Sequence, residues 1–140
     1  AEIARVKAEH GYCVLWDCHS IKSAIPRLFE GTLPTLNLGT NFGQSCAGTI
    51  EAAAVTAMAG QPLTQIANGR FKGGWITRHY GRPSERVHAL QMEIALSAYL
   101  SEEAAPWTFD APKAAALQTA LSAIIAAALD AAKELERSRS

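Results

Sequence analysis

The spacing of apolar positions changes several times along the chain, and each change marks an element. Ile3 and Val6, with Lys7, stand at helical spacing and Gly11 follows, so residues 1–10 predict the end of a helix with a glycine cap. No start signal precedes that helix and no methionine opens the chain, so the expectation is a fragment of a longer polypeptide. Tyr12-Cys13-Val14-Leu15-Trp16 is apolar without alternation and predicts a strand buried on both faces, central in a parallel or mixed sheet. Residues 18–44 hold Pro26, Gly31, Pro34, Gly39 and Gly43 and predict a long functional loop. A helix follows, capped by Ser45, with Ile50, Ala54, Ala57 and Met58 on its apolar face, and Gly60 and Pro62 end it.

The second half repeats the alternation of strand and helix. Residues 64–67 predict a brief strand and Asn68-Gly69 a turn. Trp75 to Tyr80, β-branched and aromatic between Gly73-Gly74 and Gly81, predict a second main strand. Residues 86–96 fit either period; Val87, Ala89, Gln91 and Glu93 share a face if they form a strand, which is the preferred reading through Glu93, with a helical turn after it. A loop spans residues 102–109. Asp110 and Pro112 open a last helix whose stripe is Leu117, Leu121, Ile124, Ala128, Ala132 and Leu135. Strands alternating with helices give an α/β class, a mixed sheet flanked by helices, within one domain over residues 1–140.

Composition narrows the function. The 140 residues carry 13 basic and 13 acidic side chains, which speaks against nucleic acid as a partner, because phosphate binding needs clustered Lys and Arg. Apolar residues make up 49% and charged residues 19%, a globular balance. The longest apolar run, Leu121 to Leu129, falls short of the roughly 20 residues a membrane span needs, so no membrane partner is expected. Three cysteines without scaffold spacing fit a reducing compartment, and the expected location is cytoplasmic.

Three clusters can carry chemistry. Asp17 and His19 follow the first strand and are two residues apart, so on extended backbone they project to one side. An imidazole beside a carboxylate is the unit from which metal sites and general bases are built. The stretch from Arg70 to Arg82 holds Arg70, Lys72, Arg78 and Arg82 with three glycines among them. Glycines let backbone approach a ligand closely and arginine forks match carboxylates, so the stretch reads as a pocket for a small dianion or as a basic surface hairpin. Glu93, between Met92 and Ile94, is expected to be partly buried, which favours its protonated form and suits it to acid and base work. Cys18 adjoins His19, but strand neighbours point apart, which disfavours a Cys–His nucleophile.

These blocks together resemble a known family. Trp16-Asp17-Cys18-His19-Ser20-Ile21, Asn37-Leu38-Gly39-Thr40, the run from Asn68 to Gly81 (NGRFKGGWITRHYG), and His88-Ala89-Leu90-Gln91-Met92-Glu93-Ile94 are similar in order and spacing to the N-formylglutamate amidohydrolases. The resemblance runs from about Gly11 to about Tyr99 and implies the C-terminal half of such a protein. It implies a fold similar to zinc carboxypeptidases and amidases, incomplete in this chain. It implies hydrolysis of N-formyl-L-glutamate, a small dicarboxylate, to formate and glutamate in histidine degradation, with a divalent metal, zinc, as cofactor.

Carried onto this sequence, the resemblance makes His19 a metal ligand with Asp17 beside it and Glu93 the catalytic carboxylate. Asn68, Arg70, Lys72, Thr77, Arg78 and His79 become the substrate pocket. The family's further ligands, in a Pro-His-Ser-Gly type motif and an acidic motif, do not occur in this sequence. The implied partner is therefore the missing N-terminal half of the same protein. The alternatives are an amidohydrolase for another N-acyl amino acid and a non-catalytic fragment or binding subunit with the same fold.

Overall fold

The computed structural model describes residues 1–139. Helix α1 (Glu2–His10) ends at Gly11, whose φ of 82° is the left-handed cap conformation. Strand β1 covers Cys13–Ile21, β2 Leu36–Gly39, β3 Gln65–Ala67 and β4 Val87–Ala95. They form one mixed sheet in the order β1-β4-β2-β3: β1 runs parallel to β4, β2 antiparallel to β4, and β3 parallel to β2. Helices α2 (Gly48–Ala59) and α4 (Ala111–Arg137) pack on each other, and α3 is the short helix Trp75–Tyr80.

The two faces of β4 explain the architecture. Leu90 and Met92 join Leu36 and Leu38 of β2, Ile50, Ala54 and Met58 of α2, and Leu117, Ile124, Ala128 and Ala132 of α4 in a single core. Side chains alternate along a strand, so Ala89, Gln91 and Glu93 face the other way, toward the loop that carries α3. Both faces of β4 are thereby covered, and all but one of its residues are buried. Alanines at Ala128 and Ala132 let α4 lie close to its neighbours while contributing little area each. Asp110 accepts a hydrogen bond from the Lys113 amide at 3.1 Å and so caps α4 as its sequence predicts.

Five expectations change. The strand over Tyr12–Trp16 extends to Ile21 and lies at an edge of the sheet rather than its centre; β4 and β2 are the interior strands. The long loop contains β2, a four-residue strand whose Leu36 and Leu38 are fully buried. Helix α2 starts at Gly48, with Ala47 rather than Ser45 at its cap position; the Ser45 hydroxyl instead donates to Ala89 O at 2.7 Å.

The largest correction concerns Trp75–Tyr80, which is helical. Thr77 is its one buried residue, and Trp75 stacks on His79 one turn away, with ring centroids 4.2 Å apart. Strand propensity measures fit to a pleated surface, and this segment is not part of the sheet but packs against β4 and β1 as a helix. Finally, α4 is long and apolar enough to cross a membrane by length and composition alone, contrary to the run-length expectation. Its buried residues are Ala114, Leu117, Ala120, Ile124, Ala128 and Ala132, and Leu117, Ile124, Ala128 and Ala132 of these join the core.

Candidate active site

The site grows from the register of β1 on β4. Asp17 lies beside Gln91, and His19 beside Glu93. Residues paired across a ladder point to the same face, so four polar side chains converge on the face away from the main core. His19 Nε2 lies 3.0 Å from Asp17 Oδ1, as the two-residue spacing predicts. A neutral imidazole that donates from Nε2 keeps its lone pair on Nδ1, the atom then able to accept a proton or bind a cation. Asp17 Oδ2 is buried and has no hydrogen-bond partner.

Glu93 is 6% exposed. Burial pushes its carboxyl above the ordinary value, against the opposing pull of His19 and of the hydrogen bond from Gln91. Its neighbour Gln91 is 5% exposed; Nε2 donates to Glu93 Oε2 at 3.3 Å, and Oε1 accepts from the Gly74 amide at 2.5 Å. Asn37 of β2 donates from Nδ2 to the Glu93 carbonyl at 3.2 Å and to Pro34 O at 2.7 Å, which ties β2 to the strand that carries the carboxylate.

The loop over β4 completes the site. Asp17, His19, Phe71, Gly74, Trp75, Ile76, Gln91 and Glu93 line a cavity of about 390 Å³. A second cavity of about 300 Å³ is lined by Arg70, Phe71, Lys72, Gly73, Gly74, Arg78 and Gln91. Phe71, Gly74 and Gln91 are common to both, so the cavities share a wall. The loop reaches this position through two glycines. Gly73 has φ 106°, closed to most side chains, and a Cβ added at Gly39 would stand 2.7 Å from the Lys72 carbonyl carbon. The Asn41 amide donates to Lys72 O at 2.6 Å, and Arg78 Nη1 donates to Gly73 O at 2.6 Å.

The structure sorts the predicted site residues into groups. Asp17, His19 and Glu93 meet in one cavity; Arg70, Lys72 and Arg78 meet in the other. Asn68, Thr77 and His79 line neither. Asn68 is a scaffold residue: Oδ1 accepts from the amides of Thr40 at 2.9 Å and Phe42 at 3.1 Å, and Nδ2 donates to Thr40 Oγ1 and Glu51 Oε1, both at 2.8 Å. Thr77 is fully buried under α3, and His79 is stacked on Trp75. Cys18 is exposed, with burial the leading cause that raises its thiol above the usual value and Asp17 adding to it, the reverse of an activated nucleophile. The sequence reading gave Gln91 no role. Its position two residues before Glu93 on one strand face was the available signal.

A bound cation fits the orphaned Asp17 oxygen, but the donors do not complete a centre. Among the described residues no three His, Cys, Asp or Glu side chains stand where they could share an ion. A hydrolytic zinc centre takes about three protein donors and a water.

Comparison with known proteins gives the family. The family model for N-formylglutamate amidohydrolase matches residues 1–100. The N-formylglutamate deformylase of Pseudomonas aeruginosa is 48% identical over 126 residues, covering 89% of this chain and 47% of its own length. That of Pseudomonas putida is 43% identical over 129 residues, covering 91% and 48%. The chain thus spans about half the length of the curated relatives it matches. The crystal structure of an N-formylglutamate amidohydrolase from Ralstonia eutropha JMP134 matches with a TM-score of 0.75 at 22% identity, over 96% of this chain and 49% of the other. That similarity speaks for the fold alone.

Proposed function

The chain belongs to the N-formylglutamate amidohydrolase family, and from that premise we propose that it carries the proton-handling and substrate-seating half of an enzyme that hydrolyses N-formyl-L-glutamate to formate and L-glutamate. The observation that carries the reading is the shared wall between an acidic cavity holding Glu93 and a basic cavity holding Arg70, Lys72 and Arg78. A substrate that carries its formyl amide and one carboxylate on the same carbon, with a second carboxylate on a two-carbon arm, spans such a pair. The basic cavity takes the carboxylates, with Arg78 and Arg70 as forks and Lys72 as a point charge.

Seating the carboxylates brings the amide to Glu93. A water attacks the formyl carbon while Glu93 accepts its proton; Glu93 then hands the proton to the amide nitrogen as the carbon–nitrogen bond breaks. Burial of Glu93 supports this dual use, since a carboxyl held above its ordinary value is a better proton donor at neutral pH than a surface one. His19, anchored by Asp17, faces the same cavity.

The reading includes a divalent metal, zinc, as cofactor, whose chemistry would be to polarise the formyl oxygen. His19 and Asp17 are its proposed donors in this chain. The remaining donors are assigned to polypeptide beyond the described residues, the N-terminal half in the carboxypeptidase-like fold to which we assign the whole protein. The product pair fits a place in histidine degradation in the cytoplasm.

Formate release from N-formyl-L-glutamate, with and without added zinc and chelator, tests the proposal. Measured on this chain and on a version extended to the relatives' length, it should appear with the extended form and fall with Glu93→Gln. Full turnover by the Gln variant would sink the assignment of Glu93. Absence of formate release from both forms would sink the activity itself.

A further inference from the structure

Gln91 occupies a place that the proposed chemistry leaves unexplained. It is a buried amide on an interior strand, it borders both cavities, and both ends of its carboxamide are engaged. The orientation of that group is fixed by its partners. The Gly74 amide can only donate, so the oxygen faces Gly74, and the nitrogen faces Glu93. Gly74 in turn stands at the cap position of α3, directly after the basic loop and before Trp75. A side chain at position 74 would press on the same oxygen, since an added Cβ would lie 3.1 Å from Gln91 Oε1.

Other ties on the loop act at different points. The Asn41 amide holds Lys72 O, and Arg78 holds Gly73 O from within the loop's own segment. Neither touches β4. Gln91 links the loop directly to the strand that carries Glu93 through a side chain that also contacts the carboxylate. Two backbone units away on the same face, its position relative to Glu93 is as rigid as the strand. One carboxamide therefore joins the loop shared by the two cavities to the strand that carries Glu93.

We infer that Gln91 is the positioning residue of this site, holding the dicarboxylate-seating loop at Gly74 and an N–H at Glu93 so that a seated substrate presents its amide to the proton-handling carboxylate. The inference rests on the proposed formylglutamate activity and extends it to a residue that touches neither reacting atom. In energetic terms, misplacing an amide by an ångström costs on the order of a hundredfold in rate.

Two variants separate positioning from simple packing. Gln91→Met keeps the length and removes both hydrogen bonds. Gln91→Glu keeps an acceptor for Gly74 and replaces the amide donor toward Glu93 with a second carboxyl that competes with Glu93 for a proton. The readouts are amide exchange at Gly74 by NMR, affinity for glutarate as an unreactive dicarboxylate, thermal unfolding, and kcat and KM for N-formyl-L-glutamate in the form of the protein that turns it over. Expected for Gln91→Met are at least tenfold faster Gly74 exchange, at least tenfold weaker glutarate binding and at least tenfold lower kcat. Gln91→Glu should keep Gly74 protected and still lose at least tenfold in kcat.

Either of two results in Gln91→Met would overturn the inference: wild-type Gly74 exchange and kcat, or a loss of folding stability with kcat unchanged. Wild-type kcat in Gln91→Glu would remove the role of the donor toward Glu93 and overturn it too. A protein that releases no formate defeats the proposed activity, and Gln91 is then judged by Gly74 exchange and glutarate affinity. Tenfold faster Gly74 exchange with tenfold weaker glutarate binding in Gln91→Met upholds loop positioning, and no change in either refutes it.

Discussion

His19 and Glu93 face each other across the parallel ladder of β1 and β4, one on the sheet's edge strand and the other on an interior strand. The consequence is an asymmetry in exposure. The His19 side chain is 47% exposed, whereas Glu93 is buried beneath the loop that carries α3. One side chain is open to groups arriving from outside the chain, and the other is held in a dry wall. A proton-handling carboxylate profits from the dry position, and a donor to a shared ion from the open one.

Arg78 should dominate the seating of carboxylates. Its guanidinium lines the basic cavity and is braced by a donation to Gly73 O. Arg78→Ala should weaken glutarate binding about tenfold or more, the scale of one charge-assisted hydrogen bond. Arg78→Lys should recover only part of it, because an ammonium cannot make the bidentate contact. Isothermal titration at two salt concentrations checks this; unchanged affinity in the alanine variant removes Arg78 from the pocket.

Gly39 should be intolerant in a specific way. Gly39→Ala drives a methyl into the backbone at Lys72 and Gly73, so the loop must move. The variant should fold, since the clash is with a loop and not with the core, yet bind glutarate more weakly and exchange the Gly74 amide faster. A crystal structure of the variant with the loop unmoved would refute this.

Cys18 should be dispensable for catalysis. It is exposed on β1, its thiol is raised rather than lowered, and strand alternation turns it away from His19. Cys18→Ser should retain turnover, and alkylation with iodoacetamide should leave formate release within about twofold. Loss of activity on alkylation of the wild type, absent in the serine variant, would revive a cysteine mechanism.

The α2–α4 core should set stability. Ile124 is fully buried where α4 meets the core, so Ile124→Ala should cost about 2–5 kcal/mol in urea unfolding. A loss below about 1 kcal/mol would mean that α4 packs more loosely than the structure shows.

Stability should fall with acid through His88. This imidazole is fully buried on β4; Nδ1 accepts from the Ala47 amide at 3.3 Å, and Nε2 has no hydrogen-bond partner. Burial pushes its pKa below the ordinary 6.5, against the pull of the Glu136 carboxylate, with Arg139 adding to the depression. The unfolded chain then takes up a proton at higher pH than the folded one. The stabilisation is complete above about pH 6.5, shrinks as the pH drops below it, and levels off under the folded-state pKa. His88→Gln keeps an acceptor near Ala47 and should flatten the slope in that window. An unchanged slope would assign the acid sensitivity to other groups.

Periodicity and end signals were enough for much of the fold. Gly11, Gly60 and Asp110 mark helix ends that the structure keeps, and of the predicted α4 stripe Leu117, Ile124, Ala128 and Ala132 are buried, with Leu121 and Leu135 half-buried against the core. The pair Asp17 and His19 was also legible, because side chains two apart on a strand share a face whatever the strand packs against. Burial of Glu93 followed from its apolar neighbours. Family motifs in the sequence named the chemistry, and the comparisons agree on the family.

Long-range placement was decided by tertiary structure alone. That β1 is an edge strand depends on which strands find it, and no local signal in Tyr12–Trp16 encodes its neighbours. Strand β2 was hidden because four residues are too few for a period to show, and its burial comes from α2, α4 and β4 closing over it. Trp75–Tyr80 carries strand-forming side chains yet is helical, because local propensity of a fraction of a kcal/mol yields to the burial of Thr77 where α3 packs on the sheet. Likewise, Arg70, Lys72 and Arg78 line one cavity, while Asn68, Thr77 and His79 from the same motif line neither. A motif lists which residues occur together in sequence. Which of them share a wall depends on the path of the backbone, set by Gly39, Gly73 and the carboxamide of Gln91.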